Sequence, residues 1–231
     1  MEIIILLVLV AVGLMWAPVP HFYRKLGERN LSRLTRLNRT ICLTYDDGPS
    51  EQLTQRLISL LERYNVLATF YLQGNKLDQK DIIDKLVSKG HEIGCHGYNH
   101  VNAWYAAPTR TWKDMDQALS AFEERGLGCR LVRPPYGKIT CFSMLQLILR
   151  NKTFAWWTLD SNDALDDIKT IDSLIESISK SGGDVVLFHD FDDNREAQRV
   201  EFVLAATQAI LEFARENNYK IQTHGALLGL D

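Results

Sequence analysis

The chain has 231 residues and six histidines. Two of them stand four apart in His96-Gly97-Tyr98-Asn99-His100. That spacing puts both imidazoles on one face of a helical turn, where they can chelate a single divalent ion. A second polar group lies in Thr44-Tyr45-Asp46-Asp47-Gly48-Pro49. Two adjacent acids ending an apolar run are costly unless a cation or an arginine neutralises them. An acidic turn is the alternative, because Asp-Gly-Pro is good turn chemistry. Asp47 with His96 and His100 would make a two-histidine, one-carboxylate site with open positions for water and substrate. Zinc suits such a set, and cobalt, nickel and manganese are also compatible with it.

Two further segments could carry chemistry. In Arg133-Pro134-Pro135-Tyr136-Gly137 the prolines fix the backbone, so that Arg133 and the Tyr136 N–H can be aimed. A plain structural turn would read the same way. In Leu187-Phe188-His189-Asp190 a histidine ends an apolar run. Such a histidine is as often structural as functional. Asp160, at the end of another run, could hold His189 and raise its pKa, leaving it protonated as a general acid.

These residues need elements to position them. Short apolar runs at 41–45, 68–72, 92–95, 129–132, 154–158, 184–188 and 220–223 read as strands. Helical patterns near 51–64, 78–89, 110–124, 140–150, 167–180 and 195–216 separate them. Alternation of this kind implies a parallel sheet or barrel with helices outside. Parallel α/β folds gather polar chemistry at the C-terminal ends of their strands. Asp46, Asp47, His96, His100, Arg133, Asp160, Asp163, His189 and Asp190 all fall at or just past such ends, and one rim would collect them.

The N-terminus differs from the body. Residues 3–17 are apolar throughout, and with residues 18–20 they approach the ~17–25 needed to span a bilayer. Glu2 stands before the run and no small-x-small site follows, so an uncleaved anchor over 1–20 is expected rather than a signal peptide or a core helix. Residues 21–39 read as a basic linker: Arg24, Lys25, Arg29, Arg33, Arg36 and Arg39 against the single acid Glu28. That flank favours a cytoplasmic body, or the segment could lie on an anionic lipid surface or simply in solvent. The catalytic unit is then 40–231. A formal net charge of −3 excludes a bulk basic surface for nucleic acid. Cys42 and Cys95 read as buried free thiols, and Cys129 and Cys141 could pair across a loop. The four cysteines form no C-x-x-C pair, which excludes a zinc ribbon.

Taken in order, TYDDGP, HGYNH, RPPYG, WTLDSND and LFH resemble the motifs of the polysaccharide deacetylases, over about residues 40–225. That family includes chitin, chitooligosaccharide and peptidoglycan N-acetylglucosamine deacetylases. The resemblance implies a distorted TIM-like (β/α)7 barrel, here behind an N-terminal transmembrane helix. It implies metal-dependent removal of N-acetyl groups from amino sugars in a glycan or glycoconjugate, giving acetate and a free amine. By the same resemblance Asp46 is the base, and Asp47, His96 and His100 are the metal ligands. Arg133 holds the base, the Tyr136 backbone N–H is the oxyanion donor, and Asp160 tunes the acid His189. The partners implied are an N-acetylated glycan or glycolipid and, through the N-terminal helix, a membrane. A glycan substrate favours an external body, against the charge flank, and the membrane side stays open. Two departures stand out. Gly97 replaces a usual Ser or Thr, which puts loop rigidity in question. Ala164 replaces a usual Trp, so a sugar-facing wall is missing or is supplied by Trp104, Tyr105 or Trp112. Two other functions fit: hydrolysis of another C–N bond, such as a formamide, cyclic imide or ureide, and a membrane-tethered glycan-binding protein without activity. Retention of a base and an acid argues against the second.

Overall fold

A computed structural model describes residues 18–191 and 196–230, together with Ile3, Ile5, Gly13 and Trp16. Helix α1 covers Pro18–Asn38. Strand and helix then alternate: β1 (Thr40–Asp46), α2 (Leu53–Arg63), β2 (Thr69–Leu72), α3 (Lys80–Ser88), β3 (Glu92–Cys95), α4 (Pro108–Glu124), β4 (Leu131–Val132), α5 (Cys141–Leu149) and β5 (Thr153–Phe154). β6 (Leu159–Asp160), α6 (Ile171–Ser181), β7 (Val185–His189), α7 (Glu196–Glu216), β8 (Lys220–Ile221) and α8 (His224–Leu228) complete the chain.

The strands pair in parallel in the order β5-β4-β3-β2-β1-β7-β6, and β8 joins the start of β1. β1 is buried along its whole length. A strand covered on both faces reads as a continuous apolar run rather than an alternating one, which is why Ile41 to Tyr45 is so plain in the sequence. The helices bury one stripe each; α2 buries Leu53, Leu57, Ile58, Leu60 and Leu61 and leaves its polar side to solvent. Inside, Tyr45 stacks between Phe70 and Phe188 at 4.9 and 5.8 Å between ring centroids. The Tyr45 hydroxyl meets Thr207 Oγ1 of α7 at 2.9 Å, so its one polar atom is satisfied in the core.

The expected barrel behind a spanning helix needs two corrections. First, the seven-strand ladder curls but does not close. β5 and β6 are its two edges, and residues 155–158 cross between them without a ladder. Of the expected run 154–158 only Phe154 is therefore in a strand, β5, and β6 begins just beyond it at Leu159. Helix α1 lies along this seam. Tyr23 packs edge-on against Phe154 at 5.6 Å, the Arg24 guanidinium sits 4.4 Å from the centre of the Trp157 ring, and Leu31 and Thr35 are buried. A Cβ on Gly27 would come within 2.5 Å of the Trp156 ring, so only glycine permits this approach. Second, no helix among the described residues is long and apolar enough to cross a membrane. α1 carries the six charges Arg24, Lys25, Glu28, Arg29, Arg33 and Arg36 and covers the seam instead. Most of the expected span over 1–20 lies outside the described residues. The stretch 21–39 read as a linker is, up to Asn38, this packed helix. All four cysteines are free thiols.

Candidate active site

Strand register assembles the site. Asp46 pairs with Tyr71 on one side and His189 on the other. Leu72 pairs with Cys95, and Cys95 with Val132, so the next residues, His96 and Arg133, emerge side by side at the same rim. Asp46, Asp47, His96, His100, Tyr136, Asp160 and His189 line one cavity of about 830 Å³.

Asp47, His96 and His100 each offer one ligand atom, and these atoms lie within 4.8 Å of one another. Asp47 Oδ1 is 3.5 Å from His96 Nε2 and 3.2 Å from His100 Nε2. His96 Nδ1 lies 2.7 Å from the Arg133 carbonyl. A bond there makes Nδ1 the protonated nitrogen and leaves the Nε2 lone pair facing its neighbours. Gln73 donates to Asp47 Oδ1 at 2.7 Å, and Lys76 donates to the Asp47 carbonyl at 2.8 Å. Asp47 and His100 both adopt left-handed backbone, with φ of 71° and 55°. That conformation is costly outside glycine and gathers at functional sites. Burial and the adjacent His96 push His100 down to about 4, so it is neutral, the form that ligates. Burial works against the Asp47 charge, yet the nearby His189 imidazolium and the bonded Gln73 amide help hold its carboxyl below the usual range. One oxygen and two nitrogens, deprotonated and converging, fit a divalent first-row ion.

Beside this cluster Asp46 is buried against a fully buried arginine. Arg133 Nη1 donates to Asp46 Oδ1 at 2.7 Å and to Thr44 Oγ1 at 2.8 Å, and Nη2 donates to the Trp156 carbonyl at 3.3 Å. The guanidinium also lies 4.1 Å from the Tyr71 ring centre. Asp46 Oδ2 is 3.7 Å from His96 Nε2. Tyr136 has φ 56° inside a 3-10 turn over Pro135–Gly137, and its ring centroid is 4.4 Å from that of His100. From outside, Arg24 Nη1 donates to the Gly137 carbonyl at 2.9 Å, tying α1 to this turn.

The carboxylate on His189 is Asp163, not Asp160. Asp163 Oδ1 lies 2.8 Å from His189 Nδ1, and Asp163 Oδ2 accepts the His189 N–H at 2.8 Å. Asp160 instead accepts the Asn162 N–H, and its carbonyl accepts from Lys169. Asn162 is left-handed, with φ 60°. The chain therefore turns back after β6 and delivers the third residue, not the strand-end residue, to His189. The Ser-Asn-Asp tripeptide was the available signal, since asparagine tolerates this turn conformation. Burial opposes the charge on His189, but the bonded Asp163 carboxylate, with Asp46 and Asp47 near, outweighs it and raises the imidazole to about 9.

Asp114 of α4 also escaped the sequence reading. It accepts from the Tyr98 and Asn99 N–H groups at 3.0 and 2.9 Å and pins the loop carrying both histidines. Gly97 is left-handed at φ 75°, and a Cβ there would meet Asp114 Oδ2 at 3.1 Å. The loop is thus held from α4 rather than by a hydroxyl at 97. Ala164 does line the cavity, and its aromatic walls are Tyr136, Trp157 and Phe191. Trp104, Tyr105 and Trp112 do not line it; Trp104 donates its Nε1–H to the Ile139 carbonyl at 3.0 Å.

Residues 34–146 match the family model described as polysaccharide deacetylase. The chain is 28% identical over 195 residues to a bifunctional xylanase/deacetylase of Pseudobutyrivibrio xylanivorans, covering 82% of this chain and 30% of that protein. It is 29% identical over 195 residues to a peptidoglycan-N-acetylglucosamine deacetylase of Bacillus cereus, covering 82% of this chain and 88% of that one. Among solved structures, the Xyl-CE4 domain of a multidomain xylanase from the hindgut metagenome of Trinervitermes trinervoides superposes with a TM-score of 0.69. It is 25% identical, and the match covers 82% of this chain and 89% of that domain. With the ordered motifs meeting at one rim, residues 34–146 match the polysaccharide deacetylase family, and the similarity to such deacetylases extends over 82% of the chain.

Proposed function

We propose that this chain is a metal-dependent hydrolase that removes N-acetyl groups from amino sugars of a glycan or glycoconjugate. One observation carries the reading: Asp46 and the Asp163-bonded His189 flank the Asp47–His96–His100 cluster in a single cavity. A general base and a protonated acid beside an ion site are what amide hydrolysis needs. Zinc is the ion we propose. When bound by Asp47, His96 and His100 it would supply Lewis-acid polarisation of the amide carbonyl and activation of water.

The chain's own residues supply the rest. Asp46, fixed by Arg133 and with its second oxygen toward the cluster, takes the proton of the attacking water. The Tyr136 N–H, on a turn held by prolines and Arg24, donates to the carbonyl oxygen as it gains charge; a donor so placed is worth roughly 2.7–4 kcal/mol in kcat. His189 gives its Nε2 proton to the departing sugar nitrogen. Its raised pKa keeps that proton available at neutral pH. Tyr136, Trp157 and Phe191 offer flat walls to the sugar.

The test is acetate release from N-acetylated glycans together with elemental analysis. Wild-type protein should hold one divalent ion and release acetate. His96→Ala and His100→Ala should lose both. Wild-type metal content in both variants would refute the ion site.

A further inference from the structure

A second cavity adjoins the first. It lies between α1 and the strand segment before the acid-bearing turn, measures about 750 Å³, and shares Trp157 and Asp160 with the active-site cavity. Its lining carries six cations, Arg24, Lys25, Arg29, Arg33, Arg36 and Lys169, against the acids Glu28 and Asp160. The local balance is therefore +4, in a chain of net charge −3. Glu28 is spent on Arg24 and Lys25, and Lys169 donates to the Asp160 carbonyl. Arg36 uses one N–H on the Ser181 carbonyl at 3.3 Å. Among the described residues, no hydrogen bond or ion pair ties down Arg29 or Arg33.

The spacing matters as much as the count. Lys25, Arg29 and Arg33 recur every four residues on α1, so like charges are stacked on one stripe. Such pairs destabilise a helix by ~0.2–0.5 kcal/mol each, and all three side chains line the cavity while staying exposed. Guanidinium forks are suited to bidentate contact with phosphate oxygens. The active-site cavity, by contrast, sets Asp46, Asp47 and Asp160 against Lys76, Lys138 and the protonated His189 and has no such excess of positive charge.

We propose that this groove binds a phosphate ester on the same substrate, so that the glycan acted on carries a phosphate next to its N-acetylated sugar. The proposal rests on the deacetylase reading for what occupies the neighbouring cavity. The sugar lies against Trp157 on one side of the shared ridge, and the phosphate meets Arg29 and Arg33 on the other.

The test compares equilibrium binding of N-acetylglucosamine 1-phosphate and of methyl N-acetylglucosaminide to the full chain and to its Arg29→Gln/Arg33→Gln variant. Both side chains are exposed, so the fold should survive. The wild type should bind the phosphate at least about tenfold more tightly, and the variant should lose that preference while holding the methyl glycoside unchanged. Equal phosphate affinity in both proteins would overturn the groove, since a phosphate captured at the ion site would not sense Arg29 and Arg33. Binding to phosphatidylglycerol vesicles without a preference for the sugar phosphate would overturn it too. Failure of the deacetylase reading looks different: no acetate from either compound, with the binding difference intact.

Discussion

Two charged regions meet at Trp157 and Asp160, and they are built in opposite ways. In the active-site rim the charges are buried and each has a fixed partner: Asp46 with Arg133, His189 with Asp163, Asp47 with Gln73 and the two imidazoles. In the α1 groove the cations are mostly exposed, and Arg29 and Arg33 have no partner among the described residues. Buried charges lose hydration and must be compensated inside the protein. Exposed ones keep their water and are available to an incoming anion. The first arrangement fixes geometry for chemistry; the second keeps charge ready for binding.

The sharpest way to break this contrast is Arg133→Met. It leaves the Asp46 carboxylate buried without its cation, and losses of ~3–5 kcal/mol follow when one partner of a buried pair is removed. Urea unfolding would show it as a large fall in midpoint; a midpoint like the wild type would mean that Asp46 is not held as described.

Next comes Asp163→Asn. His189 is raised to about 9 chiefly against burial by Asp163. The acid form is thus full at neutral pH and is lost as pH rises through about 9, where the proposed role of His189 places the alkaline limb of the rate. Losing the carboxylate should move that limb down toward the ordinary ~6.5. The pair's contribution to stability has the same sign: present below the unfolded value, lost as pH rises through about 9. The corresponding Asp160→Asn should leave the limb in place. A pH–rate profile of both variants separates the two carboxylates.

Arg24→Met should act more gently. It removes the bond to Gly137 behind Tyr136 while keeping an apolar stem over Trp157. A hydrogen bond from a charged group is worth ~1.5–3 kcal/mol net, and a loss of about 1.4 kcal/mol from the transition state is tenfold in kcat. We expect kcat to fall and KM to stay, read from steady-state kinetics on a neutral glycan. Smallest of all is Arg36→Gln, exposed at the far end of the groove. Thermal unfolding should place it within about 0.5 kcal/mol of wild type.

Much of the rim was legible in advance because strand ends are legible. The run from Ile41 to Tyr45 is continuous and apolar, and Asp46 follows it at once. The same holds for Cys95 before His96 and Phe188 before His189. What failed were places where position in sequence and position in space part company. Asp160 ends a strand, but the left-handed Asn162 sends Asp163 to the histidine. Asp114 sits mid-helix and reaches back to the loop carrying His96 and His100, a long-range contact with no local mark. α1 was hidden differently. Its arginines read as a basic linker lying on lipid or in solvent, whereas its packing depends on Gly27 against Trp156 and on a sheet that leaves its seam open. The barrel was expected to close because strand count alone says nothing of whether β5 and β6 pair.

The central claim is that Asp46 serves as base for amide hydrolysis beside an ion held by Asp47, His96 and His100. Acetate release from an N-acetylated chitooligosaccharide by ion-loaded wild-type protein and by ion-loaded Asp46→Asn tests it most directly. The account predicts acetate and free amine in equal amounts from the wild type, and a loss of at least about 10²-fold in the variant at unchanged ion content. Wild-type rates in Asp46→Asn, or no acetate from the ion-loaded wild type, would contradict it.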